Sequence, residues 1–167
     1  MKLLDKVIAE LQSRADCHFR PATGTPLIPA DLRLPADVVA FYKWFGDARL
    51  FSDDGLSPRC RILPPEQFVQ VGDAIMGEPT TVGIERSWYA IADVCDGNYL
   101  GIDLLPSRLG WCYDCFHETY GCPGYCKVIA RSFTELLNCF SKAGDSVFWL
   151  NQDFRGYGDA YDESSRA

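Results

Sequence analysis

The sequence predicts a single α+β domain in which a mostly antiparallel sheet is packed on one side by helices, and three observations carry that prediction. Apolar residues recur at helical spacing near the start, in the first third and near the end of the chain. From residue 88 to residue 117 the period changes to that of strands, with Asp96-Gly97-Asn98 as a hairpin signal. The 167 residues are 47% hydrophobic and 13% aromatic, enough for one real core and too few for a second domain.

Residues 2–14 place Leu4, Val7, Ile8 and Leu11 on one helical stripe and Lys6, Glu10 and Arg14 on a solvated line, the pattern of a docking helix. Pro21, Gly24, Pro26 and Pro29 then mark a loop. The stretch 34–51 carries its own start, buried face and stop. Pro35 suits the first turn of a helix, where its missing N–H costs nothing. Val38, Phe41, Tyr42 and Phe45 supply an aromatic face, and Gly46 is expected to end the helix in the left-handed conformation. Residues 48–51 read as the beginning of an extended segment. A polar turn containing Asp53, Asp54 and Gly55 follows, then a short extended piece at 61–63. Pro64-Pro65 is expected to open a second helix with Phe68, Val71 and Ile75 on one face, Gly72 in close packing and Gly77 at its end.

Residues 88–94 and 99–105 read as two strands of a hairpin. In the second, Leu100, Ile102 and Leu104 share the face expected to meet the helices, and Tyr99, Gly101 and Asp103 share the other. Strands at 111–117 and 127–130 follow. In the last helix Ser132 and Glu135 are spaced as a capping box, and Phe133, Leu136, Leu137 and Phe140 form a buried stripe that stops at Gly144. The domain is expected to span residues 1–154, leaving 155–167 as a polar, glycine-containing, poorly ordered tail.

Several of these pieces together resemble the SMI1/KNR4, or SUKH, superfamily. They are Leu34-Pro35 before an aromatic helix, Gly46, Ile62-Leu63-Pro64, the tryptophan strand at 88–92, Gly101 and Asp103 in the next strand, His117-Glu118, and the Ser-Phe-x-Glu-Leu-Leu helix from Ser132. The helix that many relatives carry just before the Leu-Pro is shortened or missing here. The resemblance implies an SMI1/KNR4-like fold and a binding protein rather than a catalyst. Many bacterial members look like immunity proteins that neutralise toxin domains, and the eukaryotic branch suggests a regulatory scaffold as the alternative.

Composition narrows the partners. With 23 acidic against 16 basic residues the net charge is −7, which argues against binding nucleic acid, since phosphate recognition needs clustered Lys and Arg. The opening MKLLDKVIAEL is interrupted by Asp5, Lys6 and Glu10, so neither a signal peptide nor a membrane span is expected, and the location expected is the cytosol. A protein partner with a basic surface fits best, a nuclease-like toxin domain among them. Asp103, Asp114 and Glu118 read as outward-facing on the sheet and Asp96 lies at the hairpin. These four carboxylates are the expected contact patch.

The eight cysteines include Cys112, Cys115, Cys122 and Cys126, spaced as C-x2-C-x6-C-x3-C. Four thiolates could close a tetrahedral zinc site and would make the chain a zinc- or thiol-dependent enzyme. Strand alternation argues against it, because residues three apart in a strand point to opposite faces. A Cys115–His117 nucleophile lacks an orienting third group. No nucleophile elbow, phosphate loop or dinucleotide fingerprint occurs. Neither catalysis, a metal nor a cofactor is expected.

Overall fold

The computed structural model describes residues 2–52, 58–94, 97–145 and 147–162. Seven strands form one antiparallel sheet in sequence order: β1 (His18–Pro21), β2 (Phe45–Leu50), β3 (Cys60–Ile62), β4 (Trp88–Asp93), β5 (Tyr99–Asp103), β6 (Cys112–Cys115) and β7 (Val128–Ala130). Three helices cover one face: α1 (Lys2–Gln12), α2 (Ala36–Trp44) and α4 (Phe133–Ala143). The short α3 (Val71–Met76) lies against β4 and β5.

The helices form for the reasons their sequences give. Leu4, Val7, Ile8 and Leu11 are all buried, and α1 docks on α4, where Ser141 donates to Glu10. Phe41 is the centre of the aromatic face of α2, with ring centroids 5.3 Å from Tyr42 and Phe133 and 5.5 Å from Phe45. Asp37, in the first turn of α2, accepts from the Thr134 backbone N–H at 2.8 Å and its hydroxyl at 2.9 Å. One carboxylate thereby ties two helices together. At the start of α4 the Ser132 hydroxyl accepts from the Glu135 N–H as a capping box requires, while Glu135 reaches back to the Arg131 N–H.

Two expectations about helix ends need correction. Gly46 does not end α2 in a left-handed turn. The chain passes straight from Trp44 into extended Phe45, and Gly46 is the second residue of β2. A Cβ there would lie 2.7 Å from the Pro21 carbonyl oxygen, so the glycine permits the close approach of β1. The helix expected after Pro64-Pro65 is broken. A single turn at Pro65–Gln67 is followed by extended residues whose Val69 carbonyl accepts from Ala90 at 2.8 Å, and only then does α3 begin. Pairing with β4 wins over helix continuation. Gly72 packs closely as expected, and Gly77 is the left-handed end of α3. No helix lies between β1 and α2.

The sheet has two buried faces rather than one. Under the helices lie Ala48, Leu50, Ile62, Ala92, Leu100, Ile102 and Cys112. Behind β4 to β7 a second cluster gathers Trp88, Ala90, Tyr113, Cys115 and Val128 with Val71 of α3 and Ala160 from the C-terminal stretch. Gly101 allows this, since a Cβ would meet the Cys115 sulfur at 2.9 Å and Val71 at 3.2 Å.

Residues 155–162 are therefore not the loose tail expected from their composition. The Tyr157 N–H donates to the Val128 carbonyl at 3.0 Å, the Val128 N–H to Gly158 at 2.9 Å and the Ala160 N–H to Cys126 at 2.9 Å. These bonds cover the outer edge of β7, which would otherwise expose a row of unpaired backbone groups. Residues 163–167 lie outside the described residues, as do Asp53, Asp54, Gly55 and Asp96.

Phe41→Ala is expected to cost about 3–5 kcal/mol, because the cavity would open among the rings of Phe19, Tyr42, Phe45 and Phe133, which cannot all collapse into it. Denaturant unfolding measures this, and an unchanged midpoint would mean that α2 is not the core helix.

Candidate functional site

The expected acidic patch does not form, and strand register explains why. Gly101 pairs with Tyr113 and Leu100 with Asp114, so Asp103 and Asp114 lie on opposite faces of the sheet. Asp103 is 0% exposed. Its oxygens accept from the Ser87 hydroxyl at 2.8 Å, the Tyr113 hydroxyl at 2.8 Å and the Leu105 N–H at 2.9 Å. Burial pushes its carboxyl above the usual range, against those three donors and the nearby Arg108. It is a structural residue of the second cluster and cannot touch a partner. Glu118 is exposed as expected, in the turn that follows β6. Asp96 lies outside the described residues.

On β1 to β3 the sheet face turned away from the helices carries arginines. Arg20 and Arg61 converge on the buried carboxylate of Asp47 at 3.6 and 3.3 Å, and Arg49 pairs across from Arg61. Asp93 of β4 pairs opposite Arg61, so that face mixes arginines with carboxylates.

The cysteines follow the alternation rule. Cys112 belongs to the core beneath the helices and Cys115 to the cluster on the other side. Burial raises both thiols well above their usual range, and Cys126 to about 11, the opposite of what a nucleophile or metal ligand requires. Cys122 is exposed in a turn. Among the described residues no three His, Cys, Asp or Glu side chains gather as a metal site. His117 is exposed, with Nδ1 2.8 Å from the Asn98 side-chain oxygen, which also accepts from the His117 backbone N–H. The two join the end of the β4–β5 hairpin to the turn after β6.

Beside that junction is a groove of about 590 Å³, and Asp114 lies in it. The row of β6 that starts as core at Cys112 reaches Asp114 one pleat further on. There the covering element is no longer α4 but the turn at Phe148–Leu150. Trp149 is buried, edge-on to Phe148 and Phe140, and its side chain helps to lower the Asp114 pKa. Lys127, on the segment entering β7, donates to the Trp149 carbonyl at 2.9 Å and lies 5.7 Å from the Phe154 ring. The rim is apolar and open: Tyr125 is 64% exposed, Leu150 68% and Val147 44%. Phe116 and Thr119, on either side of His117 and Glu118, complete one wall.

The sequence gives little notice of this site. Tyr125 follows Gly-Cys-Pro-Gly and reads as loop, and the apolar 147–150 run reads as a terminal remnant. The usable signal is a Trp-Leu pair standing after a helix has ended, with no helical or strand period to bury it.

A sequence profile of the SMI1 / KNR4 family (SUKH-1) matches residues 30–139, two thirds of the chain. The chain belongs to the SMI1/KNR4 family. A curated relative, the immunity protein YokJ of Bacillus subtilis (strain 168), is 35% identical over 160 residues, covering 95% of this chain and 96% of its own length. No solved structure matches significantly. In this SMI1/KNR4 chain the profile takes in Asp114, Tyr125 and Lys127. The groove's other wall, at residues 147–150, lies beyond it.

Asp114 is held against its own solvation. Burial lifts its carboxyl from 3.8 to about 6, although Lys127 and the Trp149 side chain both pull it down. A carboxyl whose folded pKa is raised stabilises the fold below its unfolded pKa, and that contribution is lost as pH rises through about 6. Asp114→Asn is therefore expected to raise stability by about 1–3 kcal/mol at pH 7.5 and to make little difference near pH 4. Unfolding at the two pH values tests this, and a destabilised Asn variant at pH 7.5 would contradict it.

Proposed function

We propose that this chain is a bacterial immunity protein, a non-catalytic binder that neutralises a cognate toxin by occupying its working surface. The observation that carries this reading is the near end-to-end similarity to immunity protein YokJ, at 35% identity over 160 residues.

The chemistry of the molecule supports binding over catalysis. Cys115, two residues from His117, is a buried thiol whose pKa burial raises, which disfavours a thiolate there. A solvent-facing groove with an apolar rim, one carboxylate and one lysine has the composition of a protein-docking surface. The partner we propose is a protein toxin domain with a basic working surface, such as a nuclease groove. A net charge of −7 would draw such a domain in and speed the encounter.

The test is co-expression with each toxin-domain candidate found among the genes flanking this one. Cells making both are expected to grow and cells making the toxin alone to die. Equal killing in the presence of abundant, folded protein would contradict the proposal.

A further inference from the structure

We infer that the groove between Tyr125 and Leu150 receives one lysine or arginine side chain of the toxin, its charge set against the carboxylate of Asp114 and its alkyl stem laid on the apolar rim. This rests on the reading of the chain as an immunity protein.

The choice of occupant follows from what each alternative would meet. An anionic side chain would face Asp114 on a protein that already carries an excess of seven negative charges. A purely apolar side chain would bury the exposed rim and at the same time hold Asp114 in a drier surrounding with no cation but Lys127, which the Trp149 carbonyl already engages, and that is costly. A cationic side chain with a hydrocarbon stem satisfies both halves of the groove. Lys and Arg stems lie along apolar surface while their heads seek charge, and the open ring of Tyr125 adds a face on which a cation can rest.

Lys127 does not already fill this role. Its ammonium donates to the Trp149 carbonyl at 2.9 Å and sits near the Phe154 ring, so it is committed to holding the turn that forms the groove's wall. Lys127 and the Trp149 side chain offset only part of what burial does to Asp114, whose carboxyl stays lifted to about 6. A carboxylate kept at a cost to the fold, in a pocket with an exposed apolar rim, has the character of a binding residue.

The test measures affinity for the toxin domain that this chain protects against in the co-expression experiment, made with its own active site inactivated. Asp114→Asn and Tyr125→Ala are expected to weaken binding at least about tenfold each, with melting temperatures showing both variants folded. Arg20→Ala, on the far face of the sheet, is expected to bind like the parent protein. One Lys→Ala or Arg→Ala change in the toxin should weaken binding as much as Asp114→Asn does and add little to it in the pair, as expected of two groups that contact each other. If the parent protein binds and both groove variants bind as tightly, the groove is not the site, while the immunity reading stands. If Asp114→Asn weakens binding but is additive with every cationic change in the toxin, the occupant is wrong. If the parent protein neither binds nor protects, the immunity reading falls and this inference with it.

Discussion

A carboxylate with no exposed surface must be held by donors, and the way Asp103 is held decides much of this molecule. Ser87, Tyr113 and the Leu105 N–H supply the three bonds from three different parts of the chain. They fix the segments before β4 and after β5 to the middle of β6. Tyr113 in turn lies 4.4 Å from Trp88, ring centroid to ring centroid, and Arg108 beside it donates to the Ala160 carbonyl at 2.8 Å. The rear of the sheet is thus closed by a polar centre inside an apolar shell, with the C-terminal stretch drawn over it. Losing one donor would leave a buried charge short of a partner, the costly half of any such network. Closing the rear of β4 to β7 also removes that face from the surface open to contact. The groove lies on the helix side, at the end of β6 where the helices run out.

The helices were legible because each carries its whole argument locally: the stripe of α1, the aromatic face of α2 and the serine cap of α4. The strands at 88–103 were legible through their hairpin signal. What was not legible depends on partners distant in sequence. Asp103 reads as outward-facing because its own strand alternates, and only the α3 and Ala160 contacts reveal that the outward face is covered. Its separation from Asp114 follows from the pairing of β5 with β6 and not from either strand alone. Gly46 looks like a helix stop because glycine usually is one. Its reason for being there is the Pro21 carbonyl of another strand. The C-terminal residues bond through their backbones to the edge of β7, which needs no side-chain signature at all.

The site was half legible. Asp114 and Glu118 were singled out for their charge and are near the groove or on its wall, whereas Tyr125, Val147 and Leu150 carried no pattern that distinguished them. Binding surfaces of this kind are assembled from loop residues placed by a rigid scaffold, so their composition looks irregular along the chain. The family fold supplies the scaffold, and the function has to be sought in the site built on it. The groove combines a wall inside the family profile with a wall beyond it, at residues 147–150. Changes in that second wall could alter which toxin is held without disturbing the sheet.

Amide hydrogen exchange on the complex with the cognate toxin domain tests the groove as the contact surface most directly, because it needs no substitution and surveys the whole chain. Slower exchange on binding is expected at residues 116–126 and 147–150, with the amides of β1 and β2 unchanged. Protection confined to β1, β2 and the arginine face, with the groove exchanging as in the free protein, would contradict it.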